Sequence, residues 1–264
     1  MCTIAILFGV AENPLILAAN RDELYARDAR GPTVLQGSPR VVGGLDVVSG
    51  GTWLALRADG RFAAVTNQRA LEPIAPGLRS RGLAVRELAA ADDQDAYVAA
   101  LDPRRYASMN LVWGDADHVS IAYARRDGAM EVERLPHGVH VLCNDRLGAS
   151  GFPRGERFAT AIAHALARSR AWPELSRSLA SGLGDHTRVP LDQVPASHLP
   201  IELSRELTAT CIHSDHYGTR SATLAAIDHG AVHAYLHADG SPCVTPLSDR
   251  TELLRGRRGI PGGG

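Results

Sequence analysis

The amino-acid sequence predicts an α+β fold in which two antiparallel sheets pack together and carry helices on their outer faces. Strand-like runs come in pairs joined by tight-turn residues rather than alternating with helices. Two blocks of helical periodicity, at residues 80–101 and 153–183, interrupt those pairs. With 264 residues, 45% of them hydrophobic, the chain has enough apolar surface for a substantial core. The order hairpins, helices, hairpins, helices, hairpin disfavours a Rossmann or TIM architecture.

The first pair is residues 2–9 and 15–20, apolar runs separated by the turn cluster Glu12-Asn13-Pro14. Residues 52–57 and 61–66 flank Ala58-Asp59-Gly60, and Asp-Gly between such runs is a strong hairpin signal. Leu83, Leu88, Val98 and Leu101 then lie among alanines and charges, which predicts one or two amphipathic helices. Strand-like segments return at 108–114, 118–124, 129–135 and 139–143, with Arg126-Asp127-Gly128 as a turn. Phe158, Ile162 and Leu166 build one apolar face of a helix after Pro153, and a second helix is predicted over Trp172–Leu183. Strands near 219–228 and 231–237 close the pattern, separated by His229-Gly230. Without a repeat or a linker, residues 1–250 are expected to form one domain. The remaining tail, 251–264, is expected to be disordered, because its end from Arg255 to Gly264 is Gly-rich and polar.

Composition narrows the chemistry. The formal net charge is −1, which argues against a nucleic-acid backbone as partner. All 28 fixed side-chain cations are arginines, and the absence of lysine removes Schiff-base and P-loop chemistry. Cysteines at 2, 143, 211 and 243 form no CxxC pair for zinc or redox work, so no metal and no cofactor is expected. The start lacks a basic n-region, no apolar run is long enough to span a membrane, and no lipidation motif occurs. A cytoplasmic protein without direct membrane insertion is the expectation.

Cys2 is the sharpest chemical feature. Removal of the initiator methionine before a small residue would leave a thiol and a free α-amine on one residue. An amine whose reference pKa is about 7.7–8.0 is able to take the thiol proton as a built-in base. The alternative is a small buried residue that opens a strand. Asn20-Arg21-Asp22-Glu23 follows the second strand. It reads either as a strand-end carboxylate, Asp22, orienting that amine, or as a polar turn with a surface Arg-Asp pair. Asn67 and Asn144 also end strands and are either oxyanion donors or turn formers.

The motifs Met1-Cys2-Thr3-Ile4, Asn20-Arg21-Asp22-Glu23, Gly50-Gly51-Thr52-Trp53, Thr66-Asn67-Gln68-Arg69, Ser80-Arg81-Gly82 and Tyr217-Gly218-Thr219-Arg220-Ser221 resemble, in this order, the NRDE family of transport and Golgi organisation protein 2 homologues. The resemblance runs from residue 1 to about 237. Each motif is weak, but six in order are specific. More distantly, the family is similar to the cysteine N-terminal nucleophile hydrolases, including bile-salt hydrolases and penicillin V acylase. That resemblance implies a four-layer αββα sandwich, with Cys2 as nucleophile, Asp22 as the carboxylate beside its amine, and Asn67 and Asn144 at the oxyanion and amine-orienting positions. Two departures occur. Ala19 stands where those hydrolases carry an arginine, leaving Arg21 or Arg220 as the cation expected to reach the pocket. Phe152-Pro153-Arg154 stands where the family usually has Trp-Pro-Lys.

Two functions follow as expectations. One is a cysteine N-terminal nucleophile amidohydrolase or acyltransferase that works on a linear amide through a thioester, with Arg21 and Arg220 binding a substrate carboxylate. The other, implied by the family's association with haem trafficking, is a non-catalytic carrier for haem or a lipid-like molecule. His213, His216, His229, His233 and His237 show no metal-ligand pattern and are expected to be solvated or locally bonded. His233 and His237, four apart on a strand, share a face and could share a partner.

Overall fold

A computed structural model describes residues 2–68 and 76–256. Met1, the side chain of Cys2, Arg69 of the Thr66–Arg69 motif, and residues 257–264 lie outside the described residues.

The first hairpin forms where the Glu-Asn-Pro turn placed it. β1 (Cys2–Phe8) pairs antiparallel with β2 (Leu15–Leu24), Cys2 opposite Arg21 and Ile4 opposite Ala19. β2 extends four residues past the apolar run, which carries the whole Asn20–Glu23 motif into the sheet. β3 (Ala29–Gln36) and β4 (Val41–Asp46) form a hairpin that the sequence pattern did not reveal. β5 (Leu54–Arg57) and β6 (Phe62–Asn67) meet across Asp59-Gly60, where Gly60 takes φ +88°. β7 (Met109–Gly114), β8 (Val119–Ala124), β9 (Met130–Arg134) and β10 (Gly138–Leu142) lie where expected. So do β11 (Tyr217–Asp228) and β12 (Ala231–Ala238), to which the short β13 (Ser248–Asp249) is added.

The strands divide into a six-stranded sheet, β10-β1-β2-β11-β12-β13, and a seven-stranded sheet, β3-β4-β5-β6-β7-β8-β9. α1 (Arg81–Ala90) and α2 (Gln94–Ala99) press Val85, Leu88 and Val98 onto the outer face of the seven-stranded sheet. α3 (Pro153–Arg168) begins with Pro at its first turn, where a missing N–H costs nothing. Together with α4 (Trp172–Leu183) it seats Phe158, Ile162, Leu175 and Leu179 on the six-stranded sheet. Between the sheets, Ile4, Ile6, Leu17, Leu54, Phe62, Ile121 and Tyr235 interdigitate. The layers are therefore helix, sheet, sheet, helix, the αββα sandwich the resemblance implied. A short helix, α5 (Ile201–Glu206), was not foreseen.

The boundary at residue 250 needs correction. Thr251–Leu254 forms a 3-10 turn whose Thr251 Oγ1 accepts the Tyr235 N–H at 2.8 Å, and Leu254 is buried in the inter-sheet core. The buried leucine and the buried Tyr235 N–H to Thr251 hydroxyl bond tie the turn to the sandwich.

Candidate active site

The motif residues converge at the end of β2. In β2 and β11, Asp22 and Thr219 are cross-strand partners, so their side chains stand on one face of the sheet. Thr219 Oγ1 donates to Asp22 Oδ1 at 2.6 Å and accepts the Ile212 N–H at 2.9 Å. Asp22 is 1% exposed. Burial pushes its carboxyl above the usual range, opposed by the Arg154 guanidinium and the Thr219 hydrogen bond. Asn20, on the same face, donates to the carbonyls of Leu183 and Thr210 and so ties β2 to the end of α4 and to the segment before β11.

Arg21 alternates to the other face. Its buried guanidinium stacks over the Trp53 ring at 4.4 Å. Two glycine motifs explain why Trp53 is there. A Cβ on Gly51 would lie 2.4 Å from the carbonyl carbon of Gly82, so the start of α1 docks directly on the Gly50–Trp53 segment. Thr52 N–H donates to the Gly82 carbonyl, and Ser80 caps the helix by accepting from Gly82 N–H. This backbone contact brings Trp53 and Arg81 to the rim of one cavity.

The cavity has a volume of about 510 Å³, within the usual range for small-molecule sites. Arg21, Asp22, Trp53 and Asn67 line it, as do Arg27, Arg79 and Arg81. Arg27 is held by Asp46 at 2.6 Å, and Arg79 is paired with Glu87.

Behind the cavity runs a buried relay. Arg154, 1% exposed, donates to Leu207 O at 2.9 Å and to Asn144 Oδ1 at 2.6 Å. Asn144 in turn donates to the Asn67 carbonyl at 2.8 Å. Desolvation works against the charge of Arg154, but the neighbouring Cys143 and Asp22 outweigh it and leave its pKa raised.

The structure thus gathers Arg21, Asp22 and Asn67 around one cavity and puts the backbone of Cys2 opposite Arg21. The side chain of Cys2 is outside the described residues. Asn144 stands behind Asn67 rather than in the cavity lining. Arg220 falls at a β-bulge in β11 and points away, donating to the carbonyls of Leu24 and Tyr25 at 3.1 and 2.6 Å. Arg154 was not foreseen as part of this site; its only sequence signal was the aromatic-Pro-cation pattern after Asn144. Among the described residues, His233 and His237 do not share a partner. His233 sits 3.4 Å from Asp228, whereas buried His237 meets Thr223 Oγ1 at 3.1 Å. A second cluster, His186, Cys211, His213 and Cys243, has the donor atoms to hold a metal ion.

A family model described as Transport and Golgi organisation 2 matches residues 1–236. The chain is 30% identical over 249 residues to the transport and Golgi organization protein 2 homolog of Bos taurus, covering 86% of this chain and 89% of that protein. It is 29% identical to the Homo sapiens homolog, with the same coverage. Among solved structures, penicillin V acylase from Agrobacterium tumefaciens aligns with a TM-score of 0.52 at 14% identity, over 90% of this chain and 83% of that one. A variant of conjugated bile acid hydrolase from Clostridium perfringens aligns with a TM-score of 0.57 at 12% identity, over 96% and 94%. At such identities the likeness is one of fold.

Proposed function

This chain belongs to the Transport and Golgi organisation 2 family, and from that premise we propose that it is a cysteine N-terminal nucleophile amidohydrolase or acyltransferase for small amides that carry a carboxylate. The observation that carries this reading is the placement of Asp22: buried, bonded by Thr219, lining the cavity, and one residue beyond the strand partner of Cys2. With Met1 removed, the Cys2 amine takes the thiol proton and the sulfur attacks the amide carbon. The Asn67 side-chain amide donates to the oxyanion that forms. The protonated amine then gives its proton to the leaving nitrogen as the C–N bond breaks, leaving a thioester on Cys2. Water, or an acceptor amine, releases the acyl group and returns the thiol.

Asp22 orients the amine, and Asn144 is a positioning residue that holds Asn67 through its carbonyl. Arg21 and Arg81 offer guanidinium forks to the substrate carboxylate. Arg220, committed to backbone carbonyls, has no part in this scheme. Three carboxylates and four arginines in the lining favour a polar, charged ligand over the apolar cargo of a carrier.

The test is turnover of an amide library by the mature chain and by Cys2→Ala. The expected result is loss of turnover in the variant with an unchanged melting temperature. Turnover that survives the substitution overturns the reading. A saturable Soret shift on titration with haemin, with no amide turnover, would favour the carrier instead.

A further inference from the structure

The loops beyond Thr219 bring together four residues that the reaction above does not use. We infer that His186, Cys211, His213 and Cys243 form a tetrahedral site for one zinc ion, a structural metal that fastens three loops beneath the Asp22–Thr219 pair. His186 lies in the loop after α4, Cys211 and His213 lie in the segment before β11, and Cys243 lies in the loop after β12.

The donor geometry is close to what zinc requires. All four donor atoms lie within 4.8 Å of one another. His213 Nε2 is 3.6 Å from Cys211 Sγ and 3.4 Å from Cys243 Sγ. Zinc bonds of about 2.3 Å to sulfur and about 2.0–2.1 Å to nitrogen, set on a tetrahedron, put neighbouring ligand atoms roughly 3.3–3.8 Å apart. Both measured spacings fall in that window. Two thiolates with two imidazoles in a tetrahedral array select zinc over the hard, oxygen-seeking cations.

The tautomer of His186 is also set for ligation. Its Nδ1 lies 3.1 Å from the Cys211 carbonyl oxygen, which only accepts, so Nδ1 carries the proton. That leaves the Nε2 lone pair for a metal, with the carbonyl as the outer partner that orients a ligating imidazole. His213 Nε2 faces both sulfurs, and Cys211 is also in hydrogen-bond contact with Cys243, so the donor atoms converge on one point. A shared cation satisfies all four groups at once.

Four protein ligands close the coordination sphere, the mark of a structural rather than a catalytic zinc. What it would hold in place is visible in the hydrogen bonds. Cys211 N–H donates to Asp185 O at 2.9 Å, Ile212 N–H to Thr219 Oγ1, and Ser241 Oγ to Thr219 O at 2.7 Å. The metal thus sits behind the residue that bonds Asp22.

The experiment uses the full chain, purified under reducing conditions, stripped with a chelator and titrated with Co²⁺ in the absence of oxygen. One equivalent of cobalt is expected, with thiolate charge-transfer and tetrahedral d–d bands, displacement by one equivalent of Zn²⁺, and release of thiol protons on binding. Cys243→Ser, in a surface loop, is expected to abolish the bands, whereas Cys2→Ala leaves them unchanged. A Co²⁺ spectrum that survives Cys243→Ser or vanishes in Cys2→Ala overturns the proposal. So does failure of the reduced chain to bind either metal, including through a persistent Cys211–Cys243 disulfide. None of these readouts depends on turnover, so they stand apart from the proposed acyl chemistry.

Discussion

Replacing Arg154 by methionine probes the centre of the molecule, because it removes a charge while roughly keeping the volume. The guanidinium is 1% exposed and bonds Leu207 O and Asn144 Oδ1, and it is the nearby cation that opposes the burial penalty on Asp22. Arg154 acts on Asp22 through its charge rather than through a hydrogen bond, so the about 3–5 kcal/mol lost when one partner of a contacting buried pair is deleted is an upper bound here. For a chain of this size at about 2 °C per kcal/mol, the melting temperature should fall by no more than about 6–10 °C.

The pH dependence gives the loss a signature. Asp22 has a folded-state pKa raised above its unfolded value, so its contribution is full below the unfolded pKa and is lost as pH rises through the folded one. Removing Arg154 raises that pKa further. The deficit of Arg154→Met should therefore widen as pH rises and narrow in acid, where a protonated Asp22 has no charge to compensate. Urea denaturation of Arg154→Met, Asp22→Asn and the double variant measures the coupling. A much smaller loss from Arg154→Met in the Asp22→Asn background is expected. Equal losses in both backgrounds, or a single-variant loss below about 1 kcal/mol, would refute the coupling.

Other parts of the molecule yield further predictions. Gly51→Ala forces a Cβ to within 2.4 Å of the Gly82 carbonyl carbon, backbone against backbone, and should cost about 1–3 kcal/mol in urea denaturation. Burial pushes the His237 imidazole down to about 4, so the chain should lose stability as pH falls from the ordinary histidine range toward that value. The loss has an upper bound of about 3 kcal/mol, and His237→Gln should flatten that part of the profile. Arg21→Ala should raise KM for a carboxylate-bearing amide by about 10–100-fold while changing that of a neutral amide far less. Equal effects on both substrates would remove Arg21 from carboxylate binding.

The strands with clean turn chemistry were legible in the sequence, and those without it were not. Glu12-Asn13-Pro14 and Asp59-Gly60 announced their hairpins. β3 did not announce itself, because Pro32 interrupts it, most of it is half-exposed, and its pairing with β4 slips register twice. β4 carries Gly43 and Gly44, which look like a turn. They are glycine because a Cβ on Gly44 would sit 2.2 Å from the Trp53 ring, and one on Gly43 would sit 2.5 Å from Leu54 O. The site was legible along β2, where four polar residues followed an apolar run. Arg154 was hidden because a cation in the first turn of a helix looks solvent-facing until the fold buries it. The cluster of His186, Cys211, His213 and Cys243 was hidden because its residues come from three loops, and no local spacing marks them.

Acylation of Cys2 is the central step, and its direct measurement is intact mass with peptide mapping after rapid acid quench of the protein mixed with a reactive amide substrate. The predicted result is a chain lacking Met1 with one acyl group on the Cys2 peptide, labile to hydroxylamine as a thioester and absent in Cys2→Ser at the same quench time. A chain that retains Met1 during turnover, or an adduct mapped to Cys143, Cys211 or Cys243, would contradict it.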